Sequence, residues 1–419
     1  MTKSSRKFSK SVLGTTIRIV AIALVLVGFG AISTFAQSKA YVANRFDNTV
    51  SVIDTATNTV VAIVPVGGTP SAVAVTPDGA FAYVTNANDG TVSVIDSATN
   101  TVAATVPVGV GPVGVAITPN GAFAYVTNVA GTVSVINTAT HIVIATVTVG
   151  VVPLGLAVTP NGNFVYVANQ LSDTVSVIDT ATNTVKFTIG GMVLPAWIAI
   201  SPNGAFGYVT NIDSSAVAVI DTATNTVTST ISVGLFPLGI DITPNGAFAY
   251  VVSQFVNLVS VIDTATNTVI ATVPVGAAPV GVAITPNGAF AYVTNINSNT
   301  VSVIDTATNT VTATIPVGDG PFAIAFPTRG QTNPIGLLTV QVQELVAAQS
   351  LTEHQGAGLI DKLEKVQTKI NNGQTAAACN QLGAFINQVN ALLNSGSLTA
   401  SQGQALINAA NAIKASFGC

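Results

Sequence analysis

Apolar and polar residues alternate along most of this chain in short bursts, broken every few positions by Gly, Pro, Asn or Asp. Ser71-Ala72-Val73-Ala74-Val75, Phe81-Ala82-Tyr83-Val84-Thr85 and Thr91-Val92-Ser93-Val94-Ile95 are representative. Such runs, rich in Val and Thr and with a period of two, predict half-buried β-strands. Thr76-Pro77-Asp78-Gly79 separates the first two and predicts a tight turn, with Gly supplying positive φ. The turn Asp96-Ser97-Ala98-Thr99-Asn100 then leads to a fourth strand, Val102 to Val108. The unit is therefore four short antiparallel strands, A to D.

This unit repeats. Tyr41, Tyr83, Tyr125, Tyr166, Tyr208, Tyr250 and Tyr292 are spaced by 42, 42, 41, 42, 42 and 42 residues. A period of this size without helical spacing predicts one propeller blade per repeat. The chain is thus expected to fold as an all-β seven-bladed β-propeller over residues 38–327. Its first unit begins at strand B, Ala40 to Asn44, and its last is followed by an orphan strand A, Phe322 to Phe326. N- and C-terminal strands are expected to share one blade and close the ring, leaving no unpaired inner edge.

Tyr83-Val84-Thr85-Asn86 recurs at Tyr125, Tyr208 and Tyr292, with variants Tyr41-Val42-Ala43-Asn44, Tyr166-Val167-Ala168-Asn169 and Tyr250-Val251-Val252-Ser253. On these residues the chain resembles the YVTN β-propeller repeat family, whose members resemble secreted and surface-layer proteins. That resemblance covers about Ala40 to Phe326 and implies a fold, not a chemistry.

After residue 327 the pattern changes. Residues 328–336 read as a linker, and helical spacing then takes over in 337–419. Leu338, Val342, Leu345 and Val346 share a face, as do Leu359, Leu363, Val366 and Ile370. Leu382, Phe385, Ile386, Val389 and Leu393 line a third helix, and Leu406, Ala410, Ile413 and Phe417 a fourth. Thr352 with Gln355, and Thr399 with Gln402, are capping boxes. A small all-α bundle is expected. Ala384-Phe385-Ile386-Asn387 and the helices around it resemble the FIMAH module of exported bacterial proteins.

Lys3, Arg6, Lys7, Lys10 and Arg18 precede an apolar stretch from Ile19 to about Ile32, and Thr34-Phe35-Ala36 offers a cleavage site. Residues 1–36 therefore read as a signal peptide, and the protein is expected to be secreted, at the cell surface or in the periplasm. Removing five of the 13 basic residues leaves 8 against 17 acidic ones, a net charge of about −9. Nucleic acid is not an expected partner of such a chain, because phosphate binding needs clustered cations. The two cysteines, Cys379 and Cys419, are expected to form a disulfide in an exported protein.

Candidate chemistry is sparse. His141 fills the turn slot that Asn58, Asn100 and Asn183 hold in other repeats, and His354 falls in the first turn of a helix. No nucleophile-elbow, zinc or phosphate-loop motif occurs. Asp54, Asp96, Asp179, Asp221, Asp263 and Asp305 each open a D-T/S-A-T-N turn; capping the turn is the favoured reading, and calcium the other. Asn137 holds that slot in the third repeat.

Comparison of the seven copies separates a constant face, carrying the A–B and C–D turns, from a variable one, carrying the B–C and D–A loops. On the variable face Val151, Val152, Met192, Val193, Leu194, Leu235, Phe236, Phe255 and Val256 form an apolar sector, expected to bind a partner or the C-terminal bundle. Trp197 stands where other repeats have Gly or Ala, and Asp241 where they have Ala. Both are expected near the central channel, as contacts for a small ligand or cation. The expected function is a non-catalytic binding or structural module for a protein or glycan partner, with no cofactor. The alternative is a propeller enzyme such as a lactonase or a quinoprotein-like dehydrogenase.

Overall fold

A computed structural model describes residues 39–327, 334–347, 349–371, 374–417 and 419. The expected signal peptide and residues 328–333 of the linker lie outside them.

Among the described residues, 28 strands form seven antiparallel sheets of four. Six blades take their strands in sequence order. The first is composite: Pro321–Ala325 pairs with Lys39–Asn44, followed by Thr49–Asp54 and Thr59–Pro65. The closing register sets Tyr41 opposite Ala325, Val42 opposite Ile324 and Ala43 opposite Ala323. Every C–D ladder contains a register shift, such as that at Val94/Ile95, which adds twist to the outer half of the blade.

The core lies between blades. Tyr83, Val92 and Val94 of the second blade pack with Val115, Val126 and Ile136 of the third, and equivalent clusters recur around the ring. Each residue of the Tyr-Val-Thr-Asn motif has a separate task. In every repeat but that of Tyr41 the Tyr hydroxyl bonds across the blade boundary to the next C–D turn: Tyr125 donates to Asn183 Oδ1 at 2.8 Å, Tyr166 to Asn225 Oδ1 at 2.7 Å. Tyr292 to Asn58 Oδ1, 2.6 Å, carries the belt across the closing seam. Burial pushes these phenols up to about 12, so they remain neutral donors. The turn Asn also sits at left-handed φ, 54° for Asn58, a region Asn tolerates better than most residues. His141 does both jobs in its repeat, with φ 55° and Nδ1 2.8 Å from the Tyr83 hydroxyl.

The motif Thr stitches inner strands together. Thr127 Oγ1 accepts from Gly114 N at 2.8 Å and donates to Leu154 O, on the next blade, at 2.6 Å. Thr294 links Gly281 to Phe322 across the seam in the same way. Ala43, Ala168 and Val252 have no hydroxyl to make this link. The motif Asn pins the B–C loop: Asn86 Nδ2 donates to Thr91 Oγ1 and Ser93 Oγ, both at 2.9 Å.

The C-terminal module has four helices, α1 (Pro334–Ala347), α2 (Glu353–Asn371), α3 (Thr375–Asn394) and α4 (Ala400–Ser416). Helix α1 starts at Pro334, inside the stretch read as linker, because the first helical position needs no amide donor and suits Pro. Leu338, Val342, Leu359, Leu363, Phe385, Val389 and Leu406 are in one core. Both capping boxes form: Thr352 N donates to Gln355 Oε1 and Thr399 N to Gln402 Oε1, each at 2.9 Å. The two boxes also clasp each other. Gln355 Nε2 donates to Ser397 Oγ at 3.2 Å, and Gln402 Nε2 to Ser350 Oγ at 3.1 Å. The symmetry has a sequence counterpart in Ser350-Leu351-Thr352 and Ser397-Leu398-Thr399. Cys379 and Cys419 are disulfide-bonded, with Cα atoms 6.5 Å apart. Among the described residues no helix is long and apolar enough to cross a membrane.

Candidate binding face and axial channel

The B–C and D–A loops lie together and hydrogen-bond to one another. Ala87 N donates to Thr69 O, and Leu194 N to Asp173 Oδ1 at 2.8 Å. Each D–A connection runs Val-Gly-x-y-Pro or a close variant, and y is always left-handed: Thr69, Gly111, Val152, Leu194, Phe236, Ala278 and Gly320 have φ between 47° and 67°. Glycine adopts this conformation without strain, whereas a β-branched or bulky residue there is an outlier. Three consecutive connections nevertheless carry Val152, Leu194 and Phe236.

Most of the expected apolar sector is solvent-accessible. Phe255 is 68% exposed, Val151 56%, Leu235 55% and Val193 43%. Phe236 stacks on Phe255 with ring centroids 4.4 Å apart. Phe46, Val110 and Leu171 are exposed loop-face residues that the sector omitted. Met192 has to be removed from it, since it is buried between the fourth and fifth blades. It stands in the slot of Gly109, whose Cβ would meet the Asn128 side chain at 2.5 Å. Gly191 stands in turn where other repeats have Val66 or Val108, so the bulk has moved by one residue and points inward.

Two cavities lie on the axis. The channel, about 390 Å³, is lined by the inner strands and includes Trp197 and Asp241. A vestibule of about 500 Å³ opens at the loop face, lined among others by Arg45, Asn88, Gln170, Phe236 and Gln254. Trp197 and Phe322 line both and form the partition between them. These rings belong to the fifth and first blades, and their centroids are 6.2 Å apart. The sequence reading brought Trp197, Phe236 and Asp241 forward but missed Arg45, Gln170, Gln254 and Phe322. Arg45 is one of only three basic residues in the propeller, a signal that was available.

Asp241 is partly buried. Its Oδ2 accepts from Ile284 N and its Oδ1 from Ile242 N, both at 2.8 Å. Burial raises its carboxyl to about 6, outweighing the two amide bonds, which lower it. Between pH 4 and 6 the folded protein therefore holds a proton that the unfolded chain has released. Stability contributed by this group is present below pH 4 and is lost as pH rises through 6. Relative to Asp241→Ala, the wild type should lose about 1–2 kcal/mol between pH 4 and pH 8, after discounting for partial exposure. Denaturant unfolding of both proteins across that range checks this; parallel profiles would remove the assignment.

Residues 12–129 and 120–213 match the YNCE-like beta-propeller family, and residues 336–415 match the FIMAH domain. The propeller is thus similar to YNCE-like propellers over its first half, and the helical module is similar to the FIMAH domain. Among curated proteins no sequence matches the chain. Hydrazine synthase from Kuenenia stuttgartiensis is similar in structure, with a TM-score of 0.58 and 25% identity over 62% of this chain and 90% of that one. A functionally unknown protein from Desulfotomaculum acetoxidans gives a TM-score of 0.62 at 18% identity, over 69% of this chain and 98% of that one. Dihydro-heme d1 dehydrogenase NirN gives 0.53 at 15%, over 70% and 76%. The latter two likenesses concern the fold alone.

On the opposite face of the YNCE-like propeller, the repeated aspartates act as turn caps. Asp96 Oδ1 accepts from Ala98 N and Thr99 N, both at 2.9 Å, and Asn137 Oδ1 makes the same pair of bonds in its repeat. These amide bonds, led by that from Thr99, hold the Asp96 carboxyl below the usual range. Among the described residues no three His, Cys, Asp or Glu side chains come together as metal-ligand groups.

Proposed function

We propose that this protein is an exported, non-catalytic binding module whose loop face captures a protein or glycan partner. The observation that supports the reading most is the set of apolar side chains at Val152, Leu194 and Phe236. Their left-handed backbone costs on the order of 1–3 kcal/mol each, in connections where Gly111 and Gly320 avoid the cost. Strain of this kind concentrates at sites with a task other than stability. The exposed rings and aliphatic groups beside them extend that sector beyond the scattered apolar surface of an ordinary soluble domain. The N-terminal basic and apolar segments support export.

The test is capture of envelope proteins and glycans by the purified wild type and by a Leu235→Ser, Phe255→Ser variant. Both side chains are mostly exposed, so folding should be unaffected. The partner retained by the wild type should be lost, at least tenfold, from the variant; equal retention would overturn the reading. Turnover of a lactone or oxidation of an amine by the wild type would favour the enzyme alternative instead.

A further inference from the structure

The vestibule has a chemistry of its own. Arg45 follows the first strand of the chain, and its guanidinium lies 4.6 Å from the centroid of Phe322 on the closing strand. Burial lowers its pKa from the ordinary value, yet an arginine stays protonated at any relevant pH. No carboxylate approaches it within ion-pair distance among the described residues. The same cavity holds the amides of Gln170 and Gln254, on the fourth and sixth blades, and a floor of Trp197 and Phe322 with Phe236 beside it. A desolvated cation without a counter-charge, set over flat apolar walls in a space the size of a small-molecule site, is complementary to one class of ligand.

We propose that the vestibule binds a small organic acid, a carboxylate carried on a flat apolar body. Arg45 takes the carboxylate. Trp197, Phe322 and Phe236 take the body, and the two glutamine amides hydrogen-bond polar groups at the far wall. Planar guanidinium and planar carboxylate allow two parallel hydrogen bonds, which also orient the ligand. Because Phe322 stands on the closing strand and Arg45 directly follows the strand it pairs with, a bound acid should also stabilise the closed propeller by mass action. This deepens the binding role proposed above and rests on it for the face concerned.

The test uses the full chain, whose single tryptophan is Trp197, so that its emission reports on the wall between this cavity and the channel, and the Arg45 and Gln170 variants tell the two apart. The probes are 3-phenylpropionate, the neutral 3-phenylpropionamide, and acetate, which lacks the apolar body. Phenylpropionate should shift Trp197 emission saturably and raise the melting temperature. The amide should bind at least tenfold more weakly, and acetate should give no saturable change. Arg45→Gln should lower phenylpropionate affinity at least tenfold and leave amide binding unchanged. Gln170→Leu, away from the seam, should cost three- to tenfold and covers the case in which Arg45→Gln fails to fold. No saturable signal from phenylpropionate, equal affinity for acid and amide, or wild-type affinity in both variants would each overturn the proposal. Partner capture is read separately through Leu235 and Phe255, so either idea can fail while the other stands.

Discussion

Replacing Ile324 with Asp is expected to open the propeller, with a loss of about 4 kcal/mol or more. Ile324 is 7% exposed, pairs with Val42 in the closing register and packs with Ala40, Val42 and Tyr292. An unpaired carboxylate there must either be buried at a cost of several kcal/mol or be protonated, and both undo the seam. The strand at Pro321–Ala325 follows the last blade in sequence and pairs within the first, so its release exposes the inner edge of the Lys39–Asn44 strand. Ile63→Asp is the control within the same blade: Ile63 is 62% exposed on the outer strand, and the change should stay within about 0.5 kcal/mol. Thermal unfolding followed by near-ultraviolet circular dichroism, with mapping of the first proteolytic cuts, compares the two. Equal stability would mean that the seam does not hold the ring shut.

Cys379→Ser is the second large effect, and it should fall on the helices alone. The disulfide closes a loop of 40 residues that contains the α3–α4 connection. On the chain-entropy account, opening such a loop costs about 4 kcal/mol. A four-helix module of this size has little stability to spare. Unfolding of the full chain should therefore show the helical signal at 222 nm melting well before the propeller in the variant, or in wild type with reductant. The propeller contains no cysteine and its transition should not move. A helical transition that ignores reductant would show that core packing, not the cross-link, holds the module.

The propeller was legible because its information is local. Strands A to D of a blade are joined by short turns, and Thr76-Pro77-Asp78-Gly79 or Asp96-Ser97-Ala98-Thr99-Asn100 specifies its turn by residues in contact with each other. The orphan strand at Phe322 to Phe326 was legible for a different reason: counting strands leaves it one vacant place. Met192 was misread because a place in a variable loop implies exposure only while the slot keeps its usual neighbours. With Gly191 where a Val normally stands, the Met side chain turned into the space that was left.

The loop face shows the same boundary. Exposure of Leu235 and Phe255 followed from their place in variable loops, but the left-handed backbone at Val152, Leu194 and Phe236 is imposed by the fold against residue preference. In the helical module the two capping boxes could be read as separate helix starts. Their mutual clasp through Gln355, Ser397, Gln402 and Ser350 could not, because the partners are 42 and 52 residues apart.

By itself, then, the sequence determined the seven blades, their strand order, the closing strand, the bundle and its cysteine pair, since each follows from periodicity and turn chemistry acting over a few residues. Only the tertiary structure decided what stands at the axis. Arg45 and Phe322 come from opposite ends of the chain and Gln170, Trp197 and Gln254 from three other blades, and no local rule relates them. They meet because ring closure brings loop-facing positions of several blades to a common centre, where a guanidinium and two aromatic rings line one cavity.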